Sequence, residues 1–292
     1  MSPYLKPIRR LWVDRFWAIL ALLLFFPTLG MAEDLSIRSA FVSTPSKVSV
    51  KLKAQPKYLV LAQHDMERVL TENVNHYLNS ATQQKNYTKF SNGALHSKEI
   101  AITFDDGPYP DYTPRLLEIL KQYKIKATFF PVGKMAEKYP ELIRMMEAQG
   151  HLVGNHTYSH HNLNTLSVEH VAVEIKACGY VIRDILGKEP YVFRPPGGDY
   201  NDDVVKIAGA LGYATILWTD NPGDYMGIPS RSIALRTLSR ITNGGIILLH
   251  DGTPATQEAL PEIFKTLQSN GYRFVTVDEL LKIKNVASKP KS

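Results

Sequence analysis

The chain is poor in the features that assign most proteins quickly. Among its 292 residues there is one cysteine, Cys178, so no internal disulfide can form and no multi-cysteine metal or redox motif is available. It falls within a helical pattern and reads as a small core residue. No GxGxxG or Walker loop follows the first strand of the α/β region, which removes the usual signature of a nucleotide fold. The formal net charge of +6 is partly local: Lys6, Arg9, Arg10 and Arg15 lie in the first 32 residues, and without that segment 30 Lys and Arg face 27 Asp and Glu. So small a surplus, with no basic stripe and no aromatic RNA-binding motif, gives a nucleic-acid partner no support.

Long apolar runs are also missing, with one exception. "FWAILALLLFFPTLGMA", residues 16–32, follows the four cations and ends in small residues at Gly30 and Ala32. That is the layout of a secretory signal peptide, with a cut before Glu33. Phe16 to Met31 falls short of the roughly 20 residues of a spanning helix and contains Pro27, so cleavage is expected rather than retention as an anchor. The expected mature protein is exported (periplasmic, cell-envelope or secreted) and keeps no stable membrane span.

The full chain is 44% hydrophobic and 21% charged, enough for one large core. Residues 33–97 read as an N-terminal extension and linker. In it "SKVSVKLKA" alternates like a short strand, "YLVLAQHDMERVLTENVNHYL" has helical spacing, and "NSATQQKNYTKFSNG" is a polar connection. From Glu99 onward seven short apolar runs alternate with amphipathic helices: "IAITF", "ATFFPVG", "HLVGN", "YVFR", "ATILWT", "GIILLH" and "RFVTV". Thr113 is expected to cap one helix with Pro114 at its first position, Pro140 to open another, and Ser167 to cap "VEHVAVEIKACGYVIRDILG". The alternation predicts a parallel α/β architecture, either a barrel or a doubly wound sheet, and the missing nucleotide-binding loop favours the barrel.

In such folds the strand C-terminal ends carry the site. The polar residues there are Asp105 and Asp106, His156 and His160, Arg194, Asp220 and Asp224, then His250 and Asp251. The four-residue spacing of "HTYSH" would aim both imidazoles one way on a helical turn. With an aspartate from another strand end they would make a two-histidine, one-carboxylate metal site with room for water and substrate. Adjacent carboxylates then have a purpose: one binds the cation, which relieves their repulsion, and the other acts as a base. His151, His161 and His170 have no such setting and read as spectators; Leu163 and Leu249 read as packing residues.

"TFDDGP" (103–108), "HTYSH" (156–160), "RPPG" (194–197), "WTDNPGDY" (218–225) and "LLH" (248–250) resemble the five ordered motifs of the polysaccharide deacetylase family, carbohydrate esterase family 4 or NodB-homology domain. The resemblance spans about residues 98–285 and leaves 286–292 as a tail. It implies a distorted (β/α) barrel in which Asp106, His156 and His160 hold a divalent metal, most often Zn2+. It further implies Asp105 as general base, Arg194 as its orienting partner, His250 as general acid, and the backbone N–H of Gly197 as oxyanion donor. Either Asp220 or Asp224 would hold the His250 imidazole, and counting from Trp218 favours Asp224. Gly197 and Tyr225 stand where the family often has an aromatic residue and a Trp, which bears on the shape of the sugar groove. The implied activity removes N-acetyl groups from N-acetylglucosamine units of an extracytoplasmic glycan. Peptidoglycan is expected first, with chitin oligomers or an exopolysaccharide next. An acetylxylan-type O-deacetylase and a non-catalytic carbohydrate-binding protein on the same fold are the alternatives.

Overall fold

The computed structural model describes residues 56–67 and 89–282; the signal-peptide stretch, the "SKVSVKLKA" strand and residues 286–292 lie outside them. Helix α1 runs through residues 57–67. There follow β1 (Lys89–Phe90), β2 (Glu99–Asp106), α2 (Thr113–Gln122), β3 (Thr128–Pro131), α3 (Gly133–Lys138), α4 (Pro140–Ala148) and β4 (Leu152–Val153). Then come α5 (Val168–Leu186), β5 (Val192–Phe193), α6 (Asp202–Ala210), β6 (Ala214–Ile216), α7 (Ser230–Arg240), β7 (Ile246–His250), α8 (Pro254–Ser269), β8 (Arg273–Phe274) and α9 (Val277–Leu281). All seven anticipated strands are present. β1, at the end of the stretch expected to be a linker, adds an eighth by pairing with β6.

Every ladder is parallel. Five strands form the order β4-β3-β2-β7 with β8 also on β2, and three form β1-β6-β5. Among the described residues no continuous ladder closes the circuit; single-residue bridges, Asn155 to Phe193 and Asp220 to Ile247, link the two sheets. The result is a distorted barrel, the form the motif resemblance implies; the alternation of elements by itself favours a barrel.

The two-residue period of a strand explains how this barrel is filled. Ala101, Phe130, Val192, Ile216 and Ile246, one from each of five strands, form a buried interior cluster. Ile100, Ile102, Phe104, Phe129, Ile247 and Leu249 face the other way, into the core shared with the helices. Asp105 belongs by this alternation to the inward set of β2, with Ala101 and Thr103. Helix ends follow local chemistry. Ser167 caps α5 by accepting the His170 N–H, and Gly187 closes it in the left-handed conformation. Pro140 opens α4. Thr113 does not cap α2: the helix begins at Thr113 itself, with Tyr112 before it. The Thr113 hydroxyl accepts from the Tyr109 N–H and donates to Asp251 instead.

Helix α1 is docked against the barrel, where Ala62 and Met66 are buried. Its Asp65 pairs with Lys176 at 3.4 Å and accepts from the Tyr180 hydroxyl, while the Tyr58 hydroxyl donates to Asp184 at 3.2 Å. No helix among the described residues is long and apolar enough to cross a membrane.

Candidate active site

Two neighbouring residues of a regular strand point to opposite faces, yet both carboxylates of β2 reach one place. Asp105 keeps the strand direction and is buried. Asp106 leaves it with φ 77, a left-handed backbone that aspartate tolerates better than most residues. The turn brings Asp106 Oδ1 to 3.5 Å from His156 Nε2 and 3.2 Å from His160 Nε2, while Asp105 Oδ2 stands 3.7 Å from the same His156 nitrogen.

The two histidines are not on a helical turn. Residues 154–162 form a loop after β4 in which Thr157 (φ 63) and His160 (φ 59) are both left-handed, and this backbone converges the rings, whose centroids are 5.0 Å apart. Such strain persists only where the surroundings impose it. Here the Thr157 N–H donates to Asn155 Oδ1, whose amide in turn donates to the Ile175 carbonyl on α5. The Ser159 N–H donates to the buried Glu174 carboxylate. The N–H groups of Gly133 and Lys134 at the start of α3 bond the carbonyls of Thr157 and Tyr158.

His156 Nδ1 lies 2.8 Å from the Arg194 carbonyl. A carbonyl only accepts, so Nδ1 carries the proton and Nε2 presents a lone pair to Asp106. Burial holds the His156 pKa below the ordinary imidazole value, against the pull of Asp105 and Asp106, which keeps the ring in its ligating form. Asp106 Oδ1 is buried without an aligned hydrogen bond despite its short histidine contacts. Its ligand atom and those of His156 and His160 lie within 4.8 Å of one another. Two imidazole nitrogens and one carboxylate oxygen are a donor set that suits Zn2+ with open positions, so these residues fit a divalent cation.

Arg194, after β5, is fully buried and holds Asp105 in place. Nη1 donates to Asp105 Oδ1 at 2.8 Å and to Thr103 Oγ1 at 2.7 Å; Nε and Nη2 reach the carbonyls of Ile216 and Leu217 at 3.2 Å. Its guanidinium lies 4.2 Å above the Phe130 ring. Burial lowers its pKa and Asp105 opposes this; an arginine remains a cation at neutral pH.

Opposite the carboxylates stands His250, the last residue of β7 and the direct partner of Asp105 in the ladder. Its Nδ1 donates to Asp224 Oδ1 at 2.7 Å and its backbone N–H to Asp224 Oδ2 at 2.8 Å, leaving Nε2 free toward the site. Thr256 Oγ1 completes the shell of Asp224 at 2.7 Å. Burial alone would lower the His250 pKa, but the bond to Asp224, with the charges of Asp224, Asp105 and Asp106, raises it. Of the two candidate orienting aspartates, therefore, Asp224 touches His250. Asp220 does not: both its oxygens are buried without a partner among the described residues, and burial pushes its pKa up to about 6. Gly197 sits in a tight turn over Pro196–Gly198 at φ 64, and Tyr225 meets His250 edge-on at 5.1 Å.

Thr256, Glu174 and Asn155, which support the loops and charges just described, lie outside any motif and carry no sequence signal; Thr103 opens the "TFDDGP" motif, whose pattern does not mark its bond to Arg194. His161 points to Glu174 at 3.8 Å rather than into the site, and His151 lies before β4, away from the strand C-terminal ends.

A family model described as polysaccharide deacetylase matches residues 92–216. A peptidoglycan-N-acetylglucosamine deacetylase of Bacillus cereus is 43% identical over 195 residues, 65% of this chain and 91% of that relative. Among solved structures, the Bc1960 peptidoglycan N-acetylglucosamine deacetylase has a TM-score of 0.66 at 31% identity, over 70% of this chain and 97% of its own. A CE4 family pseudoenzyme from Bacillus anthracis has the same TM-score at 31% identity, over 70% of this chain and 72% of its own. At 43% identity to a deacetylase of which it covers 91%, the chain belongs to the polysaccharide deacetylase family.

Proposed function

We propose that this protein is a metal-dependent deacetylase that removes N-acetyl groups from N-acetylglucosamine units of an extracytoplasmic glycan. The observation that carries the reading is convergence. A three-ligand cation site, an arginine-held carboxylate and an aspartate-held imidazole arrive at one place from the ends of β2, β4, β5, β6 and β7. A carbohydrate-binding protein needs none of that machinery, and a pseudoenzyme on this fold would be expected to lack part of it.

Asp106, His156 and His160 would hold a divalent cation, which would supply Lewis-acid chemistry to the reaction. Asp105 removes a proton from water as the water oxygen adds to the acetyl carbon. Arg194 fixes that carboxylate in line, and the Gly197 N–H donates to the developing oxyanion. His250 Nε2–H then protonates the nitrogen as the C–N bond breaks, so acetate departs and a free amine remains. Asp224, which accepts the Nδ1 proton, stabilises the imidazolium that carries the second proton on Nε2.

Peptidoglycan is the proposed substrate, supported by relatives named for that polymer; chitin oligomers and exopolysaccharide follow, and acetylxylan would use the same chemistry on an ester. The export reading places the enzyme outside the cytoplasm after removal of residues 1–32, with 33–97 as extension and 98–285 as catalytic domain. The deciding experiment is acetate release from a panel of peptidoglycan, chitin oligomers, N-acetylated exopolysaccharide and acetylxylan, with and without chelator. Release from peptidoglycan that stops on chelation and returns with Zn2+ is expected. No release from any glycan, or full release after exhaustive chelation, refutes the reading.

A further inference from the structure

We infer that Asp251, acting through Thr113, is a positioning residue that clamps the turn carrying Asp106 and thereby sets the affinity of the Asp106–His156–His160 site for its cation; this rests on the metal reading above. Asp251 follows His250 and is buried at the end of β7. Its backbone N–H donates to the Asp105 carbonyl at 2.9 Å. Its Oδ2 accepts from Thr113 Oγ1 at 2.5 Å, and that hydroxyl accepts from the Tyr109 N–H at 2.8 Å. The carboxylate also lies directly on the Gly107 backbone: a Cβ at Gly107 would stand 2.3 Å from Asp251 Oδ2, and one at Gly252 would stand 2.7 Å from the Tyr109 ring. The segment 105–113 is thus gripped at several points by residues 251 and 252.

The grip has a reason in the backbone of Asp106. A non-glycine residue at φ 77 is strained and persists only when surrounding contacts over-determine it. Relaxed toward strand geometry, Asp106 would turn its carboxylate to the face opposite Asp105, away from His156 and His160. The ladders of β2 end at Asp106, where it pairs with Pro131; beyond them the backbone bonds at Gly107 are those of its N–H to the Asp105 carbonyl and of the Val132 N–H to the Gly107 carbonyl, and the side-chain contacts on the turn are those of Asp251 and Thr113. Asp251 touches no ligand atom in this arrangement; it acts on the direction of one.

The test is Zn2+ titration of the full-length protein and its variants by calorimetry. Asp251→Ala and Thr113→Val should each raise the Zn2+ dissociation constant about 10- to 100-fold, the usual effect of removing a group that orients a ligand. The double variant should be no worse than the worse single one, because both cut the same clamp. Asp251→Asn and Thr113→Ser keep an acceptor and a hydroxyl and should recover most of the loss. Activity of Thr113→Val should return at saturating Zn2+ with KM unmoved, which a general loss of packing would not produce. Asp106→Asn is the reference: if it leaves Zn2+ binding unchanged, the metal reading itself fails. If Asp106→Asn weakens binding while Asp251→Ala and Thr113→Val do not, or if their effects add in full, the clamp is refuted. Should Asp251→Ala not fold, Thr113→Val and its serine counterpart decide the matter alone.

Discussion

Replacing Arg194 by methionine tests whether the buried cation exists for Asp105. Methionine approximates the length and apolar stem of the side chain but removes the guanidinium, so the loss is electrostatic and directional rather than a cavity. Asp105, whose side chain is 4% exposed, loses its 2.8 Å charge-assisted bond; Thr103 loses a donor, the carbonyls of Ile216 and Leu217 lose theirs, and the contact over Phe130 loses its charge. Breaking a buried pair by removing one partner costs about 3–5 kcal/mol, chiefly because a charge is left uncompensated. For a domain of about 200 residues that is a fall in Tm of roughly 6–20 °C. A carboxylate that has lost its orienting partner should also drop kcat by about 100-fold. The assay is thermal unfolding by circular dichroism at neutral pH beside kcat, on Arg194→Met, Asp105→Asn and the double variant. Once Asp105 is neutral the cost of the missing cation should shrink, so the double variant should be more stable than the sum of the two losses by about 1–3 kcal/mol. If the losses simply add, or if Arg194→Met leaves Tm within 2 °C of the parent, an estimate set by the ordinary scatter of surface substitutions, the guanidinium does not serve Asp105 and its role here is wrong.

Asp105→Asn should retain metal and lose roughly 10²- to 10⁴-fold in kcat, whereas Asp106→Asn should lose metal by elemental analysis and recover in part at high metal concentration; the reverse pattern exchanges the two roles. Asp224→Asn removes the charge that raises the His250 pKa, so His250 should deprotonate at lower pH and the alkaline limb of the kcat/KM profile should move down; an unmoved limb refutes His250 as the acid. His151 accepts the Ala127 N–H and burial lowers its pKa to about 4. A depressed folded value contributes stability above the unfolded pKa that is lost as pH falls from about 6.5 through 4, here about 3 kcal/mol. His151→Gln should flatten that dependence in urea unfolding at pH 7 and pH 4, and an unchanged slope counts against it. A chain beginning at residue 98 lacks α1 and β1, strips the cover provided by the buried Ala62 and Met66, and leaves β6 without its outer neighbour. It should melt well below a chain beginning at residue 53; equal melting temperatures would show the extension to be dispensable.

The barrel was legible because its signal is repeated. Seven apolar runs separated by helical patterns leave few architectures, and each run is short enough that its ends mark the site side of the fold. β1 escaped notice because two residues, Lys89 and Phe90, carry no periodicity; their strand conformation is imposed by β6, a tertiary effect with no local trace. The same holds for Thr113, which has the chemistry of a helix cap and was drawn instead into a bond with Asp251, 138 residues away.

The site itself was legible as residue types and strand ends but not as geometry. The four-residue spacing of His156 and His160 suggested a helical turn, and the convergence expected from it is present, yet it arises from two left-handed residues in a loop. A motif records which side chains must meet; it does not record the backbone that makes them meet, because several conformations satisfy one spacing. The two aspartates show the same division. Their adjacency in sequence would separate them on a strand, and the turn at Asp106 brings both carboxylates to one place, as the proposed roles of ligand and base require. Where local sequence rules fail in this chain, at Asp106, Thr157 and His160, they fail on the residues nearest the chemistry, which is where a fold is expected to sustain backbone strain for the sake of function.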